Sequence, residues 1–268
     1  MADTIDCMAS RTGRVRQEKG SKDTPKPNPW RRRLKRAAKI VGVVFAVLVV
    51  LFGIGWLVTP SASEAPELTL SEATANHIRY PGAAVPTSFS RALIATEDKR
   101  FYSEPGVDLL AVARVAAAKL KGSTTDQGGA TIEQQLAKML YTPDRGGWTV
   151  ELEQVMLAVK LNVTFSKTQI LQMYSEVAYY GHGFYGLQDA SCGYFGVEPA
   201  KLSVVQAAML AGVVNAPTFD DPILYPAAAR ARLEHVISRM VAVGYLTVTQ
   251  AAEALNTPLR LVSEPGCR

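Results

Sequence analysis

An unbroken run of 19 uncharged residues, Ile40 to Val58 (IVGVVFAVLVVLFGIGWLV), limits most strongly what this chain can fold into. It is close to the roughly 20 residues a helix needs to cross the hydrocarbon layer of a bilayer, where each backbone amide must bond within its own segment. Arg31, Arg32, Arg33, Lys35, Arg36 and Lys39 stand directly before it, and such a cluster stays on the cytoplasmic side, so residues 60–268 are expected outside. A cleaved signal peptide is the rival reading, because Ser61-Ala62-Ser63 offers small residues. The length of the run and the extended tail before it favour an anchor. Internal glycines, flanking charges and Pro60 argue against the core helix of a soluble domain.

The overall charge of +5 does not describe a nucleic-acid-binding surface. Residues 1–39 hold 12 Lys/Arg against 4 Asp/Glu, whereas the remainder holds 17 against 20, an ordinary solvated balance with no partner nucleic acid implied. Of the three cysteines, Cys7 falls on the inner side and Cys192 and Cys267 outside; a bridge between the last two is an option that sequence leaves open. His77, His182 and His235 have no ligand spacing among themselves or to the cysteines, so no metal site is expected from them.

Four segments follow from composition. Residues 1–39 read as a basic disordered cytoplasmic tail, 40–58 as the transmembrane helix, 59–87 as a Ser/Ala/Glu/Pro-rich stalk, and 88–268 as the outer domain. The outer domain reads as mainly α, since helix starts recur and alternating β patterns are nearly absent. Ser166-x-x-Gln169, Ser203-x-x-Gln206 and Thr247-x-x-Gln250 have capping-box spacing, and Val107–Lys121 and Pro226–Val243 are the clearest amphipathic helices. Gly181, Gly183 and Gly186 mark a turn-rich loop.

Two segments carry side chains suited to chemistry. In Arg91 to Phe101, helical spacing sets Leu93, Ile94 and Phe101 beside Glu97, so its carboxylate is bordered by apolar groups; desolvation and the neighbouring Asp98 disfavour its charged form, while Lys99 and Arg100 oppose them. A surface glutamate at a helix end is the plainer alternative. In Gly128 to Leu140, Thr131, Gln134, Gln135 and Lys138 fall at offsets 0, 3, 4 and 7, a polar face opposite Ile132, Leu136, Met139 and Leu140. Amides with one lysine suit sugar hydroxyls and a phosphate, although a merely solvated face has the same spacing.

Over about Val85 to Met240 the chain resembles the family 51 glycosyltransferases. The first family motif, Glu-Asp-x-x-Phe-x-x-His-x-Gly, is matched by Glu97, Asp98, Phe101 and Gly106, with Glu104 at the histidine position. The second, Gly-Gly-Ser-Thr-Ile-Thr-Gln-Gln followed by Lys-Asn, is matched by Gly128, Gly129, Thr131, Ile132, Gln134, Gln135 and Lys138, whereas Ala130, Glu133 and Met139 depart from it. Ser166-Lys167-x-x-Ile170-Leu171-x-x-Tyr174, Tyr180-Gly181-His182-Gly183, Tyr194-Phe195-Gly196, Ala216-Pro217 and Arg232 through Met240 continue the series in order. The third motif, Arg-Lys-x-x-Glu, is degenerate. Its glutamate position holds Gln154, and Glu153 lies about 100° away around a helix.

The resemblance implies a lysozyme-like helical domain with a small membrane-facing jaw, and an activity that polymerises lipid II into glycan strands. By position, Glu97 is the base that takes the acceptor sugar's 4-hydroxyl proton. Asp98, Phe101, Thr131, Gln134, Gln135, Lys138 and Arg145 are the substrate-binding candidates, and Glu153 or Gln154 is a second acidic or polar position. The implied partners are lipid II, the growing glycan chain on undecaprenyl pyrophosphate, the membrane and wall-synthesis proteins, and a divalent cation (Mg or Mn) is a candidate cofactor. A catalytically inactive relative that binds lipid II, and a lysozyme-like wall hydrolase, are the other readings. No Ser-x-x-Lys occurs, so a monofunctional enzyme without an acyl-serine site is expected.

Overall fold

The computed structural model describes residues 29–111, 114, 118, 129–263 and 266–267. The chain divides into two compact units, residues 1–50 and 51–268. Helix α1 (Pro29–Val58) supplies the described part of the first unit. Residues 29–39, expected within a disordered tail, are helical: their Arg, Lys, Ala and Leu side chains are strong helix formers, and a proline suits the first turn. Side chains from Ile40 to Val58 are mostly exposed, Phe45 by 67%. Packing against a core would hide them, whereas lipid would not. Among the described residues this is the one helix long and apolar enough to cross a membrane, consistent with a membrane anchor.

The second unit is a helical domain, and no β-strand occurs among the described residues apart from an isolated bridge between Tyr179 and Tyr185. Its helices are α2 (Ala65–Ala75), α3 (Thr87–Glu97), α4 (Ile132–Tyr141), α5 (Trp148–Thr164), α6 (Lys167–Val177), α7 (Gly186–Phe195), α8 (Val204–Val213), α9 (Pro226–Ala242) and α10 (Val248–Asn256). The stretch expected as a stalk is therefore not all extended. Within it, α2 buries Ala65, Thr69 and Ala73 against α6 and α4, small side chains that let helices approach closely, so the folded domain starts before residue 88. Of the amphipathic helix expected over 107–121, residues 109–111, 114 and 118 are helical and the others lie outside the described residues.

Two groups of helices share the core. Helix α8 is apolar nearly all round and buried from Val205 to Val213, packed against α3 and α9; it is the element that composition sends to the centre. The other group is α2, α4, α5 and α6, whose contact is filled by Ile132, Leu136, Leu157 and Ile170. All three expected capping boxes form, and a fourth closes the start of α4 through Thr131 and Gln134. Lys160 of α5 donates to the carbonyls of Thr59 (2.8 Å) and Pro60 (3.0 Å) just beyond α1, with its ammonium 5.3 Å from the Trp56 ring centroid. A cation there complements the negative end of α1. Cys192 and Cys267 are disulfide-bonded and tie the C-terminal segment to α7.

Candidate active site

Helix α3 belongs to the α8/α9 group and ends at Glu97, where the α4/α6 group meets it. Burial of Phe89, Leu93 and Ile94 against α8 and α9 sets the rotation of α3, so Glu97, three residues beyond Ile94, emerges at that junction. Its side chain is 8% exposed and accepts from three donors on three different segments. Arg232 of α9 donates from Nη2 to Oε1 at 2.9 Å, Gln135 of α4 from Nε2 to Oε2 at 3.2 Å, and Asn215, just after α8, from Nδ2 to Oε2 at 3.1 Å. A carboxylate this far from water requires such partners.

Two of the donors are themselves held by further side-chain contacts. The Gln135 carbonyl accepts from the buried Tyr174 hydroxyl of α6 at 2.9 Å. That phenol's pKa is pushed well above its usual value, by burial first and by the Glu97 charge second, so it stays a donor. Arg232 also donates from Nε to the Gly212 carbonyl at 3.2 Å, and Asp220 Oδ2 lies 3.9 Å from the same nitrogen. Gly212 leaves room for this approach, since an added Cβ would stand 3.0 Å from the Arg232 Cγ and 3.2 Å from a Val236 methyl.

Lys138 is exposed on α4 at the position three beyond Gln135, hence on the same side of the helix. Its ammonium can meet a phosphate from solvent. Gly128 of the second motif lies outside the described residues.

Several expected binding residues have other duties. Phe101 is fully buried and lies under the Lys167 ammonium, 4.5 Å from its ring centroid, so it is a core residue that no substrate can reach. Asp98 is buried and accepts from the Ile132 amide at 3.2 Å, which anchors the start of α4. Thr131 is buried, caps α4 and donates to the Gly106 carbonyl at 2.7 Å. Gly106 permits that approach: its φ is +86°, and a Cβ would sit 2.4 Å from the Ala158 carbonyl oxygen. The Gln134 amide oxygen is turned back to the Thr131 backbone at 2.9 Å, completing the cap instead of extending the polar face.

The second acidic or polar position does not join the Glu97 network. Glu153 takes both Arg145 nitrogens, at 2.8 and 3.4 Å, and Gln154 donates to Thr142 Oγ1 at 2.8 Å. One residue of helical rotation separates the two side chains, and both fasten the loop between α4 and α5 onto α5. Arg145 remains half exposed despite this pair.

Glu97 has a neighbour of a different kind on the far side of its own backbone. Asp98, Glu104 and Glu133 are all buried, and one carboxylate oxygen of each lies within 4.8 Å of those of the others. Lys167 donates to Glu133 Oε1 at 2.5 Å and to the Glu104 backbone carbonyl at 2.9 Å. Burial, then the Asp98 charge and contact, push the Glu104 pKa up to about 8, with Glu133 adding to the rise and Lys167 opposing it. Glu133 is likewise raised by burial against the opposing Lys167.

The transglycosylase family profile matches residues 66–241, well over half of the chain. This chain belongs to the transglycosylase family. The match begins inside α2, in agreement with the buried face of that helix. Among its relatives, penicillin-binding protein 1A of Aquifex aeolicus is 36% identical over 180 residues, 67% of this chain and 25% of that protein. A Cupriavidus necator protein named provisionally as a transglycosylase is 34% identical over 181 residues, 68% of this chain and 78% of that one. Penicillin-binding protein 1A of Neisseria gonorrhoeae is 37% identical over 174 residues, covering 65% and 22% of the two chains. The chain thus spans about a quarter of the length of the penicillin-binding relatives.

The partners of Glu97 were the part of the transglycosylase site least accessible to sequence reasoning. Arg232, Asn215 and Tyr174 stand 135, 118 and 77 residues from it and carry no local signal that points to a carboxylate. Only the ordered series of motifs hinted that Tyr174, Ala216-Pro217 and Arg232 belong with it.

Proposed function

We propose that this transglycosylase-family chain is a peptidoglycan glycosyltransferase, polymerising lipid II into glycan strands at the outer face of the cytoplasmic membrane. In this reading α1 spans the bilayer with its basic end inside. The observation that carries it is the Glu97 carboxylate, fixed at the junction of two helix groups by Arg232, Gln135 and Asn215.

An ionised carboxylate offers about four acceptor sites, and three are taken by those donors. The fourth accepts the 4-hydroxyl of the acceptor sugar. As that oxygen bonds to the anomeric carbon of the lipid-linked donor chain, its proton passes to Glu97, and the bond from the anomeric carbon to the lipid pyrophosphate breaks. General-base help of this kind contributes roughly 10²–10⁴-fold. Charge gathering on the departing pyrophosphate is met by exposed Lys138, with half-exposed Arg145 as a second cation. Around Glu97 itself the neighbours are a guanidinium and two amide NH₂ groups, a donor set that does not fit the expected Mg or Mn ion. The proton transfer is accordingly assigned to side chains alone.

Full-length protein in detergent, supplied with lipid II, tests the reading. Polymer should form with the wild type and fall by at least about 10²-fold in Glu97→Gln. Equal lipid II binding by both proteins with no polymer from either would overturn it in favour of a binding protein. Soluble fragments released from preformed wall, without polymer from lipid II, would instead identify a hydrolase.

A further inference from the structure

We propose that Asp98, Glu104 and Glu133 form a buried binding site for one divalent, oxygen-seeking cation that braces the junction between the end of α3 and the start of α4. Asp98 is 6% exposed, Glu104 8% and Glu133 not at all. Neither side-chain oxygen of Glu104, nor Oε2 of Glu133, meets an N–H donor among the described residues; the one side-chain contact of Glu104 is with another carboxyl, Asp98, so the buried acceptor atoms converge on one another. Three carboxylates face one ammonium, Lys167, whose bond goes to the other oxygen of Glu133. Fully ionised, the group carries two surplus negative charges, which one divalent ion would neutralise.

The spacing fits as well as the charge. Oxygens that share one ion bound at about 2.3–2.6 Å stand at most some 4.6–5.2 Å apart. The three carboxylates each place an oxygen within 4.8 Å of the others, close enough to share one ion. Glu104 and Glu133 are also two of the positions at which this chain departs from the motifs quoted above, which have histidine and threonine there. Both departures deliver a carboxylate to the same buried point beside Asp98. The site lies apart from the Glu97 donors and does not depend on the activity proposed above.

Full-length protein stripped with a chelator and dialysed should bind one Mn²⁺ per chain, read by loss of the free-ion paramagnetic resonance signal. Its melting temperature should rise by about 5–10 °C at an ion concentration a hundred times Kd. The paired substitution Glu104→His with Glu133→Thr should abolish both responses, and Glu104→Gln, which keeps the side-chain shape, should weaken Mn²⁺ at least tenfold. Absence of bound Mn²⁺ in the wild type, or binding and thermal shift unchanged in Glu104→Gln, would overturn the proposal. So would stability that rises on acidification with no response to any cation, because protons would then be balancing the charge.

Discussion

Glu97 and Asp98 are adjacent in the chain, yet the regions they enter have opposite chemistry. Around Glu97 one carboxylate meets three donors, two of them, Gln135 and Arg232, held by a further side-chain contact. Around Asp98 three carboxylates share a single lysine, and three buried oxygens have no N–H donor among the described residues. The end of α3 makes the division, because Glu97 is its last helical residue and Asp98 already has non-helical backbone, with φ −152° and ψ 72°. A donor-rich setting holds a base in one orientation; an acceptor-rich setting holds its neighbour only with the help of an additional positive charge. Under the proposed reaction, the motif pair Glu-Asp combines a reacting group with a structural one.

Substitutions can break this contrast on either side, and the largest effect is expected at Lys167. Lys167→Met leaves the buried Glu133 without its counter-charge and should cost about 3–5 kcal/mol, read from denaturant unfolding in the presence of chelator. A loss below about 1 kcal/mol would mean that the carboxylates are already neutral. On the Glu97 side, Arg232→Met should cost less, about 2–3 kcal/mol, since both side chains keep some exposure to water. It should also lower lipid II polymerisation by about 10²-fold while leaving the cation response intact.

Smaller changes sharpen the comparison. Thr131→Ala, which removes a cap and a bond to Gly106, should destabilise by about 1–2 kcal/mol and leave the rate per folded molecule unchanged. Tyr174→Phe removes only the hydroxyl that steadies Gln135, so about 1 kcal/mol and a few-fold loss of rate are expected from unfolding and polymer assays. A rate unaffected by Tyr174→Phe would show that Gln135 is held well enough by Glu97 and the backbone.

The fold was largely legible because its signals are local. Capping boxes at Ser166, Ser203 and Thr247 and the amphipathic pattern of α9 locate helices without reference to anything distant. The same spacing, Thr131-x-x-Gln134, was read as a ligand-binding face, although it obeys the capping rule equally well; the hydroxyl and amide are spent on the helix start. The linker after the membrane run misled for another reason. Its Ser, Ala, Glu and Pro content resembles a stalk, but small residues repeated at Ala65, Thr69 and Ala73 make a face that can lie close against α6.

The site was half legible. Glu97, Gln135 and Lys138 were identifiable from motif and helical spacing, whereas Arg232 and Asn215 reach Glu97 only through the packing of α8 and α9 on α3. Glu104 and Glu133 were visible as two separate departures from the family pattern. Their meeting beside Asp98 depends on the turn that carries residues 98–106 back under α4, which no periodicity encodes.

The most direct trial of the contrast is a side-by-side measurement of polymerisation rate and melting temperature for Glu97→Gln and Asp98→Asn in the full-length protein. Glu97→Gln should lose at least about 10²-fold in rate and keep both its melting temperature and its response to cations. Asp98→Asn should lose melting temperature and the cation response while retaining far more of its rate per folded molecule. If the two variants fell together in both measurements, or if Glu97→Gln polymerised lipid II as the wild type does, the division of labour between these two carboxylates would be wrong.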